Sequence, residues 1–322
     1  MSSTIHPLPF DPELDAILAL VADQMPRRVP REAIPAMREG APAEPSRQQL
    51  VELGLECRDI TIPGYEGAEL IATVISTPGE KHGRPGIYHT HGGGMILGTR
   101  FMGVAEFAVD WVLAHDAVMV TVEYRLAPEY PDPYPVEDCY AGLVWMAEHA
   151  EELGIDPDRL LIAGGSAGGG LAAGVALIAR DRKGPNLIGQ LLVCPMIDDR
   201  NETTSAQQVS GIGVWDRETN VMAWECLLGD QVGTDSVSIY AAPARATDLV
   251  GLPPAFIDAG SVEVFRDEAV AYASKLWAAG VQAELHVWPG GFHGFDGLAP
   301  HAAVSQAARA ARSAWVARTI GE

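Results

Sequence analysis

Basic residues are scarce in this chain: Lys and Arg number 22 against 43 Asp and Glu among 322 residues, a formal charge of -21 at pH 7. A surface of that sign repels phosphate backbones and anionic lipid, which excludes nucleic acid and membrane surfaces as natural partners. Cysteine is scarcer still, with four residues, Cys57, Cys139, Cys194 and Cys226, too far apart to form a C-x-x-C pair. That spacing suggests neither a zinc site nor a redox dithiol, so free thiols are expected. No run of 18 consecutive apolar residues occurs, and Met1 to Phe10 holds neither a basic stretch nor a long apolar one. The expectation is a soluble, cytoplasmic protein. What remains is ordinary globular composition, 48% hydrophobic and 20% charged, in a chain long enough to bury one large core.

Over residues 11–25, Leu14, Ile17, Leu18, Val21 and Met25 share one face at helical spacing, until Pro26 and Pro30 interrupt the pattern. From about residue 55 the texture changes. Short β-rich runs at 57–62, 70–76, 86–90, 117–122, 160–163, 188–193, 255–259 and 283–288 begin to alternate with helical patterns at 136–152, 168–182, 268–279 and 302–319. This alternation predicts an α/β fold, with a mostly parallel sheet covered by helices on both faces. Residues 201–235, which include Trp215 and Trp224, break the alternation and are expected to be an insertion above the sheet.

The densest chemical signal is Gly164-Gly165-Ser166-Ala167-Gly168, placed between a strand and a helix. In a G-x-S-x-G turn of this kind a sharp bend holds the serine above the sheet edge, and the next helix N-terminus faces a developing oxyanion. A purely structural turn competes with that reading, as does a dinucleotide loop through Gly168-x-Gly170-x-x-Ala173. The latter begins inside the helix rather than before it. His91-Gly92-Gly93-Gly94 follows the strand 86–90, and its glycines leave peptide N–H groups free to meet an anion; a His89-x-His91 metal pair is the rival reading.

A serine nucleophile requires a base, and the base requires an acid behind it. Of nine histidines, His293 lies in the turn-rich loop Pro289 to Phe295, just after the strand 283–288. Loops at the carboxyl ends of strands are where such sheets gather their sites. Glu263 comes soonest after the strand 255–259, whereas Asp267 and Glu268 open the next helix and Asp258 lies within the strand. The chain order Ser166, Glu263, His293 is the order of an α/β-hydrolase triad.

Together with Tyr124-Arg125-Leu126-Ala127-Pro128-Glu129, these motifs resemble the hormone-sensitive-lipase-like family of α/β-hydrolases, the bacterial carboxylesterases, over about residues 55–320. Segments 150–157 and 238–243 further resemble bacterial acetyl esterases of the heroin-esterase type. The resemblance implies hydrolysis of short-chain carboxylic esters, no cofactor and no metal, often a homodimer, and an oxyanion hole from the N–H groups of Gly93, Gly94 and Ala167. It also implies N-terminal cap helices over 1–50, completed by the 201–235 insertion, on a core spanning 51–322. The family's usual Asp before the serine is Gly165 here, its acid is Glu263, and the position after the glycines is Met95. A lactone or amide hydrolase would use the same triad, and a non-catalytic small-molecule receptor would use the same fold. The expected reaction loses rate as acid protonates His293, near the unperturbed imidazole pKa of ~6.5.

Overall fold

Strands β1 (Glu56–Pro63), β2 (Glu69–Ser76), β3 (Arg84–Thr90), β4 (Val118–Val122), β5 (Ile155–Gly165), β6 (Gly189–Val193), β7 (Ala255–Gly260) and β8 (Ala283–Trp288) join in one sheet. Their order is β1-β2-β4-β3-β5-β6-β7-β8. β1 pairs antiparallel with β2 and β2 with β4, and every other pairing is parallel. In the computed structural model, residues 6–21, 28–40 and 43–321 are described. Met25 and Pro26, expected at the end of the first amphipathic helix, lie outside them.

The central strands β3, β4, β6 and β7 are buried along their whole length, as a sheet covered on both faces demands. Side chains alternate between the faces: Tyr88 joins one apolar cluster with Val118 and Val120, while Ile87 joins the other with Met119. Helices α1 (Pro12–Val21), α2 (Ile34–Glu39), α3 (Glu44–Glu52), α4 (Val104–Phe107), α5 (Tyr134–Glu148), α6 (Ala167–Arg182), α7 (Thr204–Gln208), α8 (Arg217–Leu228), α9 (Arg266–Ala278), α10 (Phe295–Leu298) and α11 (Ala303–Ile320) complete the fold. The first cluster takes Leu143 of α5, Leu171 of α6 and Tyr272 of α9; the second takes Phe107 of α4 and Trp315 of α11.

Residues 201–235 form no strand and carry α7 and α8, each opened by a side-chain cap. Thr203 accepts from the Ala206 N–H at 3.1 Å and Asp216 from the Thr219 N–H at 2.8 Å. The chain before residue 40 reaches toward this insertion and toward the loops at the carboxyl ends of the strands. Val29 N–H donates to Thr219 Oγ1, Asp11 N–H to the Gly290 carbonyl, and Arg38 to the carbonyls of Ile96 and Ala127. By contrast, Leu50 of α3 packs with Ile75 and Ile87 against the sheet, so the boundary expected at residue 50 falls inside an element that belongs to the core. Among the described residues no helix is long and apolar enough to cross a membrane.

Candidate active site

Strand β5 runs straight into the turn at Ser166, whose backbone sits at φ 59° and ψ -126°, before α6 begins at Ala167. Two positions of this bend admit only glycine. A Cβ on Gly164 would collide with the backbone of Gly168, and one on Gly168 with the Thr90 carbonyl. The turn is held by backbone bonds: Ser166 N–H donates to the Val193 carbonyl at 2.8 Å, and the Ser166 carbonyl accepts from Gly170 and Met196. Gly170, part of the apparent dinucleotide pattern, and Gly174 one turn later let α6 press against the carbonyls of Met196 and Tyr240. Those glycines serve close packing and leave no open cradle for a phosphate.

His293 lies in the loop after β8. That loop is tied to the one after β7 by the Val262 N–H to the Gly291 carbonyl at 2.9 Å and the Gly290 N–H to Ser261 Oγ at 2.8 Å. These ties bring three distant side chains together. His293 Nε2 is 2.9 Å from Ser166 Oγ, and His293 Nδ1 is 3.0 Å and 3.2 Å from the two carboxylate oxygens of Glu263. Glu263 Oε1 also accepts from the Phe265 N–H at 3.0 Å, which fixes the carboxylate from behind.

The other carboxylates of this stretch are engaged elsewhere. Asp267 accepts from Ser205 N–H and Arg266, Glu268 from the N–H groups of Ile197 and Asp198, and Asp258 from Arg312 and Trp288. Glu263 is 1% exposed. Burial works to lower the proton affinity of His293, but the Glu263 carboxylate and the Cys194 side chain oppose it and prevail, holding the ring well above its usual range. This differs from the unperturbed value expected from the sequence, because the ring is paired with a buried charge.

Gly92 lies against the nucleophile turn, where a Cβ would stand 3.0 Å from the Gly165 carbonyl and 3.4 Å from Ser166 Cβ. Gly93 and Gly94 follow at φ 105° and φ 64°. Among the described residues their N–H groups have no protein acceptor, and Ala167 is the first residue of α6, whose N–H has no carbonyl one turn earlier. His91 does not share a ligand with His89: its Nδ1 meets the Gly92 carbonyl and its ring stacks on Tyr124, whereas His89 Nδ1 meets Thr121 Oγ1. Burial lowers the two rings to about 4 and about 3, so both are neutral at pH 7.

Three neighbours of the site were not assigned from the sequence. Trp215, from the insertion, stands with its ring 6.3 Å from that of His293 and fills the space a Cβ on Gly94 would need. Phe265 meets the imidazole edge-on at 5.3 Å. Cys194, at the end of β6, lies with its thiol beside the Glu263 and His293 pair. A signal was present for Trp215, a large aromatic in the expected insertion, whereas nothing local in the sequence sets Cys194 beside His293.

A family described as the alpha/beta hydrolase fold matches residues 87–297. Esterase LipI of Mycobacterium tuberculosis is 34% identical over 295 residues, covering 89% of this chain and 89% of its own length. Carboxylesterase NlhH of the same species is 37% identical over 256 residues, covering 78% of each. Among solved structures, a bacterial heroin esterase superposes with a TM-score of 0.88 at 38% identity, covering 97% of this chain and 98% of that one.

Proposed function

Because the chain belongs to the alpha/beta hydrolase fold family and is a carboxylic ester hydrolase, we propose that it cleaves short-chain, acetyl-like esters through a covalent acyl-enzyme on Ser166. The observation that carries this reading is the continuous chain of contacts from Ser166 Oγ through His293 to Glu263. In the first half-reaction Ser166 Oγ attacks the ester carbonyl while His293 Nε2 takes its proton. Glu263 keeps the other imidazole proton on Nδ1 and stabilises the imidazolium that forms. The N–H groups of Gly93, Gly94 and Ala167 receive the negative charge on the former carbonyl oxygen. His293 then protonates the departing alcohol, and water activated by the same nitrogen releases the carboxylic acid and restores the serine.

The short acyl preference rests on Trp215, whose ring presses on Gly94 and stands next to His293, closing the space beside the oxyanion loop. In this proposal the N-terminal helices and residues 201–235 act together as a cap, supported by the contacts of Val29 and Arg28 with Thr219 and Asp216.

Nitrophenyl esters with acyl chains of two to twelve carbons test both parts. Ser166→Ala should lose covalent labelling by an organophosphate and several orders of magnitude in turnover. Wild-type rates should fall steeply with chain length, and Trp215→Ala should flatten that fall by raising rates on the longer chains. Undiminished hydrolysis by Ser166→Ala would refute the nucleophile; an unchanged chain-length profile in Trp215→Ala would refute the steric origin of the preference.

A further inference from the structure

Cys194 takes no part in the acyl-transfer route, yet Cys194 Sγ, a ring nitrogen of His293 and a carboxylate oxygen of Glu263 all lie within 4.8 Å of one another. Among the described residues they are the one group of three or more His, Cys, Asp or Glu side chains with donor atoms gathered so closely. We propose that Cys194, His293 and Glu263 form a binding site for a borderline-soft divalent cation, with Zn2+ as the probe, and that its occupation switches hydrolysis off.

The donor set is one thiolate, one imidazole and one carboxylate, which suits zinc and disfavours calcium or magnesium. Donors about 2.0–2.3 Å from a tetrahedral zinc lie roughly 3.5 Å from each other, so the trio must contract by about 1 Å, which side-chain rotation supplies. The backbone beneath it is firmly placed: Cys194 N–H donates to the Asp258 carbonyl at 2.7 Å, and Phe265 N–H holds the Glu263 carboxylate. The His293 side chain is 12% exposed, which leaves an approach from the substrate side and an open fourth position for water.

Coordination forms cation–sulfur, cation–nitrogen and cation–oxygen bonds, and the thiol proton leaves to water. If the cation takes Nδ1, the remaining imidazole proton moves to Nε2, which can then no longer accept a proton from Ser166. If it takes Nε2, the base itself is occupied. Either way the serine is left without a base, and with Nδ1 bound the Glu263 to His293 hydrogen bond is lost as well. The inhibitory consequence rests on the triad reading above; cation binding does not.

The test titrates the full chain with zinc chloride in a non-chelating buffer, following binding by calorimetry and hydrolysis of nitrophenyl acetate in parallel. Wild type should bind one Zn2+ per chain and lose turnover over the same concentration range, and Ser166→Ala should bind equally well. Cys194→Ala and Cys194→Ser should each weaken binding by more than the roughly 10- to 100-fold that losing an outer hydrogen bond of a metal site costs. Their hydrolysis, measured against each variant's own zinc-free rate, should persist where wild type is silent; Cys194→Ser retains the side-chain size in case the alanine variant fails to fold. Absence of zinc binding by wild type, or equal zinc sensitivity in the Cys194 variants, would overturn the proposal. Undiminished hydrolysis by Ser166→Ala would instead strike at the triad and leave the binding result standing.

Discussion

A carboxylate that is almost wholly buried beside an imidazole changes when that ring can act as a base. In the proposed mechanism His293 must be neutral to accept the Ser166 proton; burial lowers the ring's pKa, but Glu263 and Cys194 together outweigh it and hold the pKa above its usual value. The protonated, inactive ring therefore persists to higher pH, and kcat/KM should rise through a limb above pH ~6.5 rather than at it. In Glu263→Gln the charge is gone and burial remains, which favours the neutral ring; the limb should move to lower pH. Turnover should still fall by roughly 10^4, because the amide no longer fixes the reactive tautomer. Asp267→Asn should change little at this step, since Asp267 meets Ser205 and Arg266 instead of the imidazole. Paired pH–rate profiles decide the matter, and a limb that moves upward in Glu263→Gln would transfer the acid role elsewhere. Ser166, Glu263 and His293 were legible in the sequence because glycine spacing and chain order constrain them. Cys194 was not, because its place beside His293 is made by β6, β7 and β8 ending side by side, a fact of pairing that no local pattern encodes.

At the scale of elements, the loop carrying His293 is followed at once by α10, and α10 is anchored to α11 and β7 through one buried arginine. Arg312, 4% exposed, donates to Asp258 Oδ2 at 2.8 Å and to Asp296, while Trp288 Nε1 donates to the same Asp258 oxygen at 2.9 Å. Burial pushes the Asp258 carboxyl up and Arg312 opposes that shift, so the guanidinium is what keeps two buried acids tolerable. Arg312→Met should leave both without a counter-charge and cost about 3–5 kcal/mol, since breaking a buried pair from one side is far worse than replacing it whole. Urea unfolding checks this: Arg312→Met should unfold at much lower denaturant, and adding Asp296→Asn should recover part of the loss. A loss of less than about 1 kcal/mol, the usual worth of an exposed pair, would deny the network this role. Most strands were readable from alternation and β-branched runs, but β5 starts at Ile155, five residues before its apolar stretch. The charged Asp156 and Asp158 and the intervening Pro157 hide that start, and only pairing of Ile155 with Arg84 draws them into the strand. Similarly, the resemblance places residues up to 50 in a cap, whereas Leu50 of α3 clusters with Ile75 and Ile87, a long-range burial its own sequence does not announce.

For the whole molecule the dominant quantity is charge. Many of the arginines are already matched to acids, among them Arg38, Arg47, Arg100, Arg125, Arg182 and Arg245, so the excess of carboxylates is what faces solvent at long range. A net charge of -21 leaves that field strongly negative at pH 7. Such a field raises the encounter rate of cations and lowers that of anions, and it acts over a distance set by salt: about 30 Å at 0.01 M and about 3 Å at 1 M. An acetate ester whose alcohol carries a quaternary ammonium should therefore show a kcat/KM that falls several-fold to about tenfold as ionic strength is raised across that range. A neutral ester of the same size should stay nearly constant, and one with a carboxylate on its alcohol should gain. The effect belongs to encounter, so kcat at saturation should not follow it. Equal salt dependence for all three esters would mean that the cleft is screened from the surrounding field, and that the acidity serves solubility alone.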